Sequence, residues 1–201
     1  MSATGLAWAD KRLTPLRDMH AADLLQRTAR FLDRGADVTP EPLARHADGR
    51  LMRTPRLHLP FRRDLEVATA GGGVAHPRVD TPLDPGLDPR PSGVTAGEFQ
   101  LSAAPFQWQA AELLLRGDPD GFAWAPLRLW FLEWMQPRMI EEAPELLGAV
   151  HSLSDPEPMR TGVRLRLDFG SAPPQCAAEL LDALALTGAE AASIGPAPEA
   201  R

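Results

Sequence analysis

Ten of the 23 positions from 71 to 93 are Gly or Pro, and they split the chain into two stretches of different character. Gly71, Gly72 and Gly73 open the run, and Pro77, Pro82, Pro85, Gly86, Pro89, Pro91 and Gly93 carry it on. No apolar period survives there, and each residue before a proline is steered toward extended backbone. Residues 71–97 therefore read as a Pro/Gly-rich linker or long loop. On one side lies a helical and extended N-terminal segment, 1–70, and on the other a regular domain, 98–195, followed by a disordered tail, 196–201. Gly (16) and Pro (21) together stay under a fifth of the 201 residues, short of a low-complexity chain, so globular parts are expected around the loop.

In the first segment, Asp18 is placed to cap a helix whose stripe is Leu24, Leu25, Thr28, Phe31 and Leu32, with Gly35 as its stop. Thr39-Pro40 predicts a second, shorter helix ending at Asp48-Gly49. Leu57, Leu59 and Phe61 alternate with Arg56, His58 and Arg62, a half-buried strand that Pro60 demotes to an edge.

The second stretch is more regular. Strands are expected at Phe99–Ala103 and Trp108–Arg116, a turn at Gly117–Gly121, and a helix from Pro126 with Leu127, Trp130, Phe131 and Trp134 on one face. Leu146–Leu153 and Val163–Phe169 read as strands, the latter with strict alternation. Ser171 is expected to cap a helix to about Thr187, with Leu180, Leu181 and Leu184 in its stripe together with Cys176 and Ala177. Ala191–Ile194 then returns as a strand parallel to Val163–Phe169. The order predicts an α+β fold: a two-layer sandwich, its sheet mixed and mainly antiparallel, with two helices on one face and a helical N-terminal arm.

Charge follows the same division. Residues 1–97 carry net +2 and residues 98–201 net −8. Arg45, Arg50, Arg53, Arg56, Arg62 and Arg63 face only Asp48 between positions 45 and 63. That basic stretch suits a phosphate, an acidic protein or the acidic half of the same chain, while the second half repels nucleic acid. Lys11 is the sole lysine, an Arg skew spread over the whole chain and best explained by genome composition.

The run Trp124-Ala125-Pro126-Leu127 into Trp130-Phe131 and Trp134, then Gly148-Ala149-Val150-His151-Ser152-Leu153, then Leu167-Asp168-Phe169-Gly170-Ser171-Ala172-Pro173, is similar to a set of small bacterial proteins of uncharacterised function. The resemblance spans about residues 98–195. It implies a compact bacterial cytosolic α+β domain and brings no reaction or cofactor. Toxin-neutralising immunity proteins are an analogy of class, not of motif.

Several functional classes are disfavoured. No phosphate-binding or dinucleotide glycine motif is present. His20, His46, His58, His76 and His151 show no metal-ligand spacing, so neither metal nor cofactor is expected. Phe122–Met135, the best apolar stretch, is broken by Pro126, Arg128 and Glu133 and falls short of about 20 residues, so no membrane span is expected. The lone Cys176 rules out a disulfide scaffold and reads as a small buried hydrophobe. With no basic region leading into an apolar run, the expected location is the cytoplasm.

One polar group carries a catalytic alternative. Pairing of 146–153 with 162–169 brings His151 to Asp168, with Ser171 in the following turn, which makes these three the candidate residues of a small hydrolase. Ser171 lacks the nucleophile-elbow motif, so a cap is the competing role. A second alternative is nucleic-acid association through Arg53, Arg56, Arg62 and Arg63. The leading expectation is a non-catalytic protein-binding module, of immunity or accessory kind, that meets a basic protein surface. Its expected contacts are Trp108, Trp124, Glu112, Asp118 and Asp120.

Overall fold

Ala9, Leu13, Leu16, His20, Leu24 and Thr28 recur every three or four positions, and all six are buried. They form one stripe of a 30-residue helix, α1 (Ala3–Leu32), in a computed structural model that describes residues 3–197 apart from Glu142. The helix thus starts well before the expected cap at Asp18. Pro15 sits inside it on the exposed side, where water can satisfy the carbonyl that loses its backbone donor.

The predicted helix at 39–49 does not form. Val38–Pro40 is a strand, β1, and Glu41 follows with φ of +52°, a left-handed conformation that no helix tolerates. Bridges Leu43↔Arg62, Arg45↔Leu51 and Arg53↔Pro60 then fold 43–62 into a pair of nested turns. The expected strand over 56–62 is reduced to two of those bridges. β1 pairs antiparallel with β2 (Leu65–Ala68), which pairs with β3 (Val74–Ala75). This small sheet contributes Leu65 and Val67 to a second core with Ala21, Leu24, Val79, Ile140, Ala143 and Leu146.

The glycine- and proline-rich region is more built than a linker. Besides β3 it contains β4 (Ser92–Ala96), while Val79 and Thr81 are buried and Leu83 and Leu87 pack on the main core. β4 forms one edge of a seven-stranded sheet with β5 (Phe99–Ala103), β6 (Ala111–Arg116), β7 (Ser152–Leu153), β8 (Glu157–Met159), β9 (Gly162–Asp168) and β10 (Ala191–Pro196). The path is β4-β5-β10-β6-β9-β7, with β8 also on β9.

β10 pairs parallel with β5 and antiparallel with β6, so it runs in the direction expected relative to β9 but with β6 between them. It reaches Pro196, and the Ala197 N–H donates to the Ala110 carbonyl at 3.4 Å, so those two residues of the expected tail are placed. Residues 198–201 lie outside the described residues.

Register lines up the core. Val94, Leu101, Ala192, Leu115 and Val163 are successive cross-strand partners, and every one is buried. Ala103, Ile194, Leu113 and Leu165 repeat this one step along the sheet. Onto that apolar side go α2 (Ala125–Trp134) and α3 (Gln175–Ala185), close to the expected limits, through Leu127, Trp130, Phe131, Trp134, Leu180, Leu181 and Leu184. Trp130 Nε1 donates to the Cys176 carbonyl at 2.9 Å, and α1 adds Ala9, Leu13 and Leu16 to the same core. The molecule is α+β, and its described residues form three α-helices, a mixed seven-stranded sheet and a small antiparallel one. Among the described residues no helix is long and apolar enough to cross a membrane.

Candidate functional site

Of the strand expected over 146–153, only Ser152–Leu153 pairs as a strand, because Gly148 turns the chain at φ of +62°. His151 stands just ahead of it. Its N–H donates to the Asp168 carbonyl at 2.9 Å, and its own carbonyl accepts from the Arg62 N–H at 2.9 Å. The imidazole is therefore held between the end of β9 and the N-terminal part of the chain, with no exposed surface.

Both ring nitrogens meet carboxylates. Nε2 lies 2.7 Å from Glu41 Oε1 and Nδ1 lies 3.1 Å from Asp64 Oδ1, with Asp168 Oδ1 3.8 Å from the same Nδ1. Each carboxylate is anchored in turn. Glu41 accepts from the Leu147 N–H at 2.5 Å and the Ser171 N–H at 3.2 Å. Asp64 accepts from the Val79 N–H at 2.6 Å, and Asp168 from the Gly170 N–H at 2.9 Å. Gly170 has φ of +53°, and a Cβ there would come within 2.5 Å of His151 Nε2 and the Ala149 carbonyl. Only glycine allows this approach.

The electrostatics follow from burial and pairing. Burial opposes a charged ring, but the Asp168 charge and the hydrogen bonds to Asp64 and Glu41 outweigh it and raise the His151 pKa to about 10. Burial likewise opposes ionisation of Glu41 and Asp64, yet the His151 hydrogen bonds hold both below the usual carboxylate range. Burial raises Asp168 to about 6 against the pull of His151. At neutral pH, three carboxylates thus surround one imidazolium. The half-buried Arg62 supplies some compensation, since its charge interacts with Glu41.

Next to this group stands His20, also without exposed surface, its Nδ1 3.1 Å from Thr81 Oγ1. Burial and the charge of His151 lower its pKa to about 4, so this ring is neutral. Among the described residues its Nε2 has no hydrogen-bond partner. Ligand atoms of Asp64, His151 and Asp168 all lie within 4.8 Å of one another, a spacing that can hold a metal ion. The sequence expectation of no metal rested on local spacing, and this trio is assembled from positions 64, 151 and 168.

The hydrolase trio is brought together only in part. His151 and Asp168 meet as expected. Ser171 Oγ accepts from the Gly148 N–H at 2.9 Å, and no hydrogen bond joins Ser171 to His151 among the described residues. Nor does Ser171 cap α3, whose N-cap is Pro174. Both His151 ring nitrogens are committed to carboxylates, so among the described residues no hydroxyl meets this imidazole. Cys176 is fully buried, and burial pushes its thiol pKa well up, away from nucleophilic use.

The expected partner contacts divide. Trp108 is 1% exposed and stacks on Phe169 with ring centres 4.3 Å apart, so it is core and not a surface anchor. Glu112 is half-buried and faces Arg164 at 3.7 Å. Asp118 and Asp120 are exposed on the turn after β6, and Trp124 is half-buried with its edge against Phe122.

The basic stretch divides too. Arg53 and Arg56 are exposed, and the Arg56 backbone N–H donates to the Asp155 carboxylate, in the acidic half of the chain. Arg63 lies over the Phe61 ring. Arg62 turns inward, donating to the carbonyls of Met135 and Glu41 at 3.0 and 2.8 Å, and is no part of an outward basic face.

Glu41, Asp64 and His20 were not singled out by the sequence reading. His20 was visible in principle, since it occupies a buried position four residues from both Leu16 and Leu24. Glu41 and Asp64 carry no local signal, because their partner is 110 and 87 residues away. No family model, curated protein or solved structure matches the chain.

Proposed function

We propose that the protein is a non-catalytic cytoplasmic binding module, of immunity or accessory kind, that holds a basic protein partner at the corner formed by residues 117–124 and 187–190. The observation that carries this reading is the way two loops are clamped together there. The Ala123 N–H donates to the Thr187 carbonyl at 2.8 Å and the Glu190 N–H to the Arg116 carbonyl at 3.0 Å. Asp118, Asp120 and Glu190 are all exposed on this frame, beside the half-buried Trp124. Asp118 also accepts from the Asp120 N–H at 3.2 Å, a bond that closes the turn. Acidic groups held on a rigid support steer a basic partner at little entropic cost, and an adjacent tryptophan supplies the apolar anchor. The closed hydrogen bonding of the His151 group supports the non-catalytic part of the reading.

The test is site-specific photo-crosslinking in the native host, with the crosslinker at Asp120 or, as control, at Met159 on the exposed β8 edge. A single basic protein should be captured from position 120 alone, and D118K/D120K/E190K should abolish the capture. Equal capture from both positions, or capture that survives the charge reversal, would sink the proposal.

A further inference from the structure

We infer that Asp64, His151 and Asp168 form a binding site for a first-row divalent transition cation, with Glu41 as the orienting carboxylate behind His151. The donor set is one imidazole nitrogen and two carboxylate oxygens, which suits Zn²⁺, Mn²⁺, Fe²⁺ or Co²⁺ and not a soft ion. Bonds of about 2.0–2.2 Å set neighbouring ligand atoms of one ion roughly 3–3.5 Å apart, and opposite ones about 4 Å apart. Here Asp64 Oδ1 lies 3.1 Å and Asp168 Oδ1 3.8 Å from His151 Nδ1, with all three ligand atoms inside 4.8 Å. The two distances to His151 Nδ1 already lie in or near that range, and drawing in the two carboxylates would close the set around an ion.

The surroundings are those of a metal centre. Glu41 Oε1 takes the His151 Nε2–H at 2.7 Å, which orients the ring with Nδ1 toward the two aspartates, where an ion would replace the Nδ1 proton. That carboxylate–histidine–metal arrangement is the usual support of a ligating imidazole. The free oxygens are tied as well, Asp64 Oδ2 by the Val79 N–H and Glu41 Oε2 by the Leu147 N–H.

His20 provides an independent observation. It is wholly buried, yet among the described residues its Nε2 has no partner. Nδ1 is fixed by Thr81, whose carbonyl is gripped by Gln107 and Gln109 at 3.1 and 3.0 Å. The charges of His151, Asp64, Glu41 and Asp23 act on its ring, while its own ligand atoms fall outside the trio gathered within 4.8 Å. An ion held by the trio would thus have an idle imidazole nitrogen in the same buried region.

The experiment takes the intact chain, treats it with chelator, and offers Zn²⁺ or Co²⁺ both to the folded protein and during refolding. One ion per chain is expected, with a visible Co²⁺ absorption band and a melting temperature that climbs with free Zn²⁺. D168N changes the most exposed ligand, at 17% side-chain exposure, and should weaken Zn²⁺ by about 10-fold or more. E41Q alters a positioning residue, and should weaken Zn²⁺ about 10- to 100-fold and shift the Co²⁺ band. H46Q/H58Q/H76Q removes three exposed histidines and should leave binding unchanged. Absence of a Co²⁺ band in the parent protein under both loading conditions overturns the proposal, whatever the variants do. So does loss of binding in the triple-histidine variant, or Zn²⁺ affinity in a folded D168N equal to that of the parent.

Discussion

Glu41 holds more of the buried polar group together than any other single side chain. It accepts from His151, from the Leu147 N–H and from the Ser171 N–H, and it has no exposed surface. Removing it leaves the His151 Nε2–H and two backbone donors without their acceptor in the interior, so E41A should cost about 3–5 kcal/mol in denaturant unfolding. E41Q, which keeps an acceptor, should cost less. Gly170 is the second sensitive position. G170A must accommodate a left-handed alanine and a methyl group against the His151 ring, at a cost of about 3 kcal/mol by the same measurement. At the surface, Asp88 shows a plain pH effect. Hydrogen bonds from the Arg90 side chain and backbone hold its carboxyl pKa at about 2. The pairing therefore contributes stability above the usual aspartate range and loses it as pH falls through 2. An NMR titration should place Asp88 at about 2 in the parent protein and nearer its ordinary value in R90Q. These residue-level facts differ in how far the chain announces them. His20 sits in a legible helical stripe, whereas the meeting of Glu41 with His151 joins positions that no local pattern relates.

Elements whose periodicity is local were readable, and α2 is the plainest case. Leu127, Trp130, Phe131 and Trp134 are all buried, while Leu129 on the same helix is 67% exposed. L127A should therefore cost about 2–5 kcal/mol, and L129A should stay within about 0.5 kcal/mol of the parent, both read by chemical denaturation. β9 was equally legible, since Val163, Leu165 and Leu167 alternate with Arg164 and Arg166 along an unbroken strand. The first half of α1 was not, because Pro15 signals a helix end when read alone and causes none on a solvated face. The short helix expected at Thr39-Pro40 failed because a cap and a first-turn proline describe only how a helix begins. Glu41, turned left-handed to reach His151, stops it there.

At the scale of the molecule, the segments before and after residue 97 share one interior. α1 places Ala9, Leu13 and Leu16 in the main core, Leu57 and Leu59 join them, and β4 pairs with β5 across the boundary. A chain beginning at residue 98 would lose those contacts together with β4 and both N-terminal partners of His151. Its thermal unfolding should show no cooperative transition by near-ultraviolet circular dichroism, where the parent shows one. The loops between 71 and 97 gave the sequence reading least, since their buried Val79 and Thr81 follow the shape of other elements and no period of their own. The central seat of β10 has a consequence for biosynthesis. Until residues 191–196 leave the ribosome, β5 is paired only with β4 and β6 only with β9, and the nascent protein presents their two inner hydrogen-bonding rims bare at once. Productive maturation then becomes a race between the arrival of that strand and capture of either rim by a neighbouring polypeptide, the sort of interval that chaperones guard.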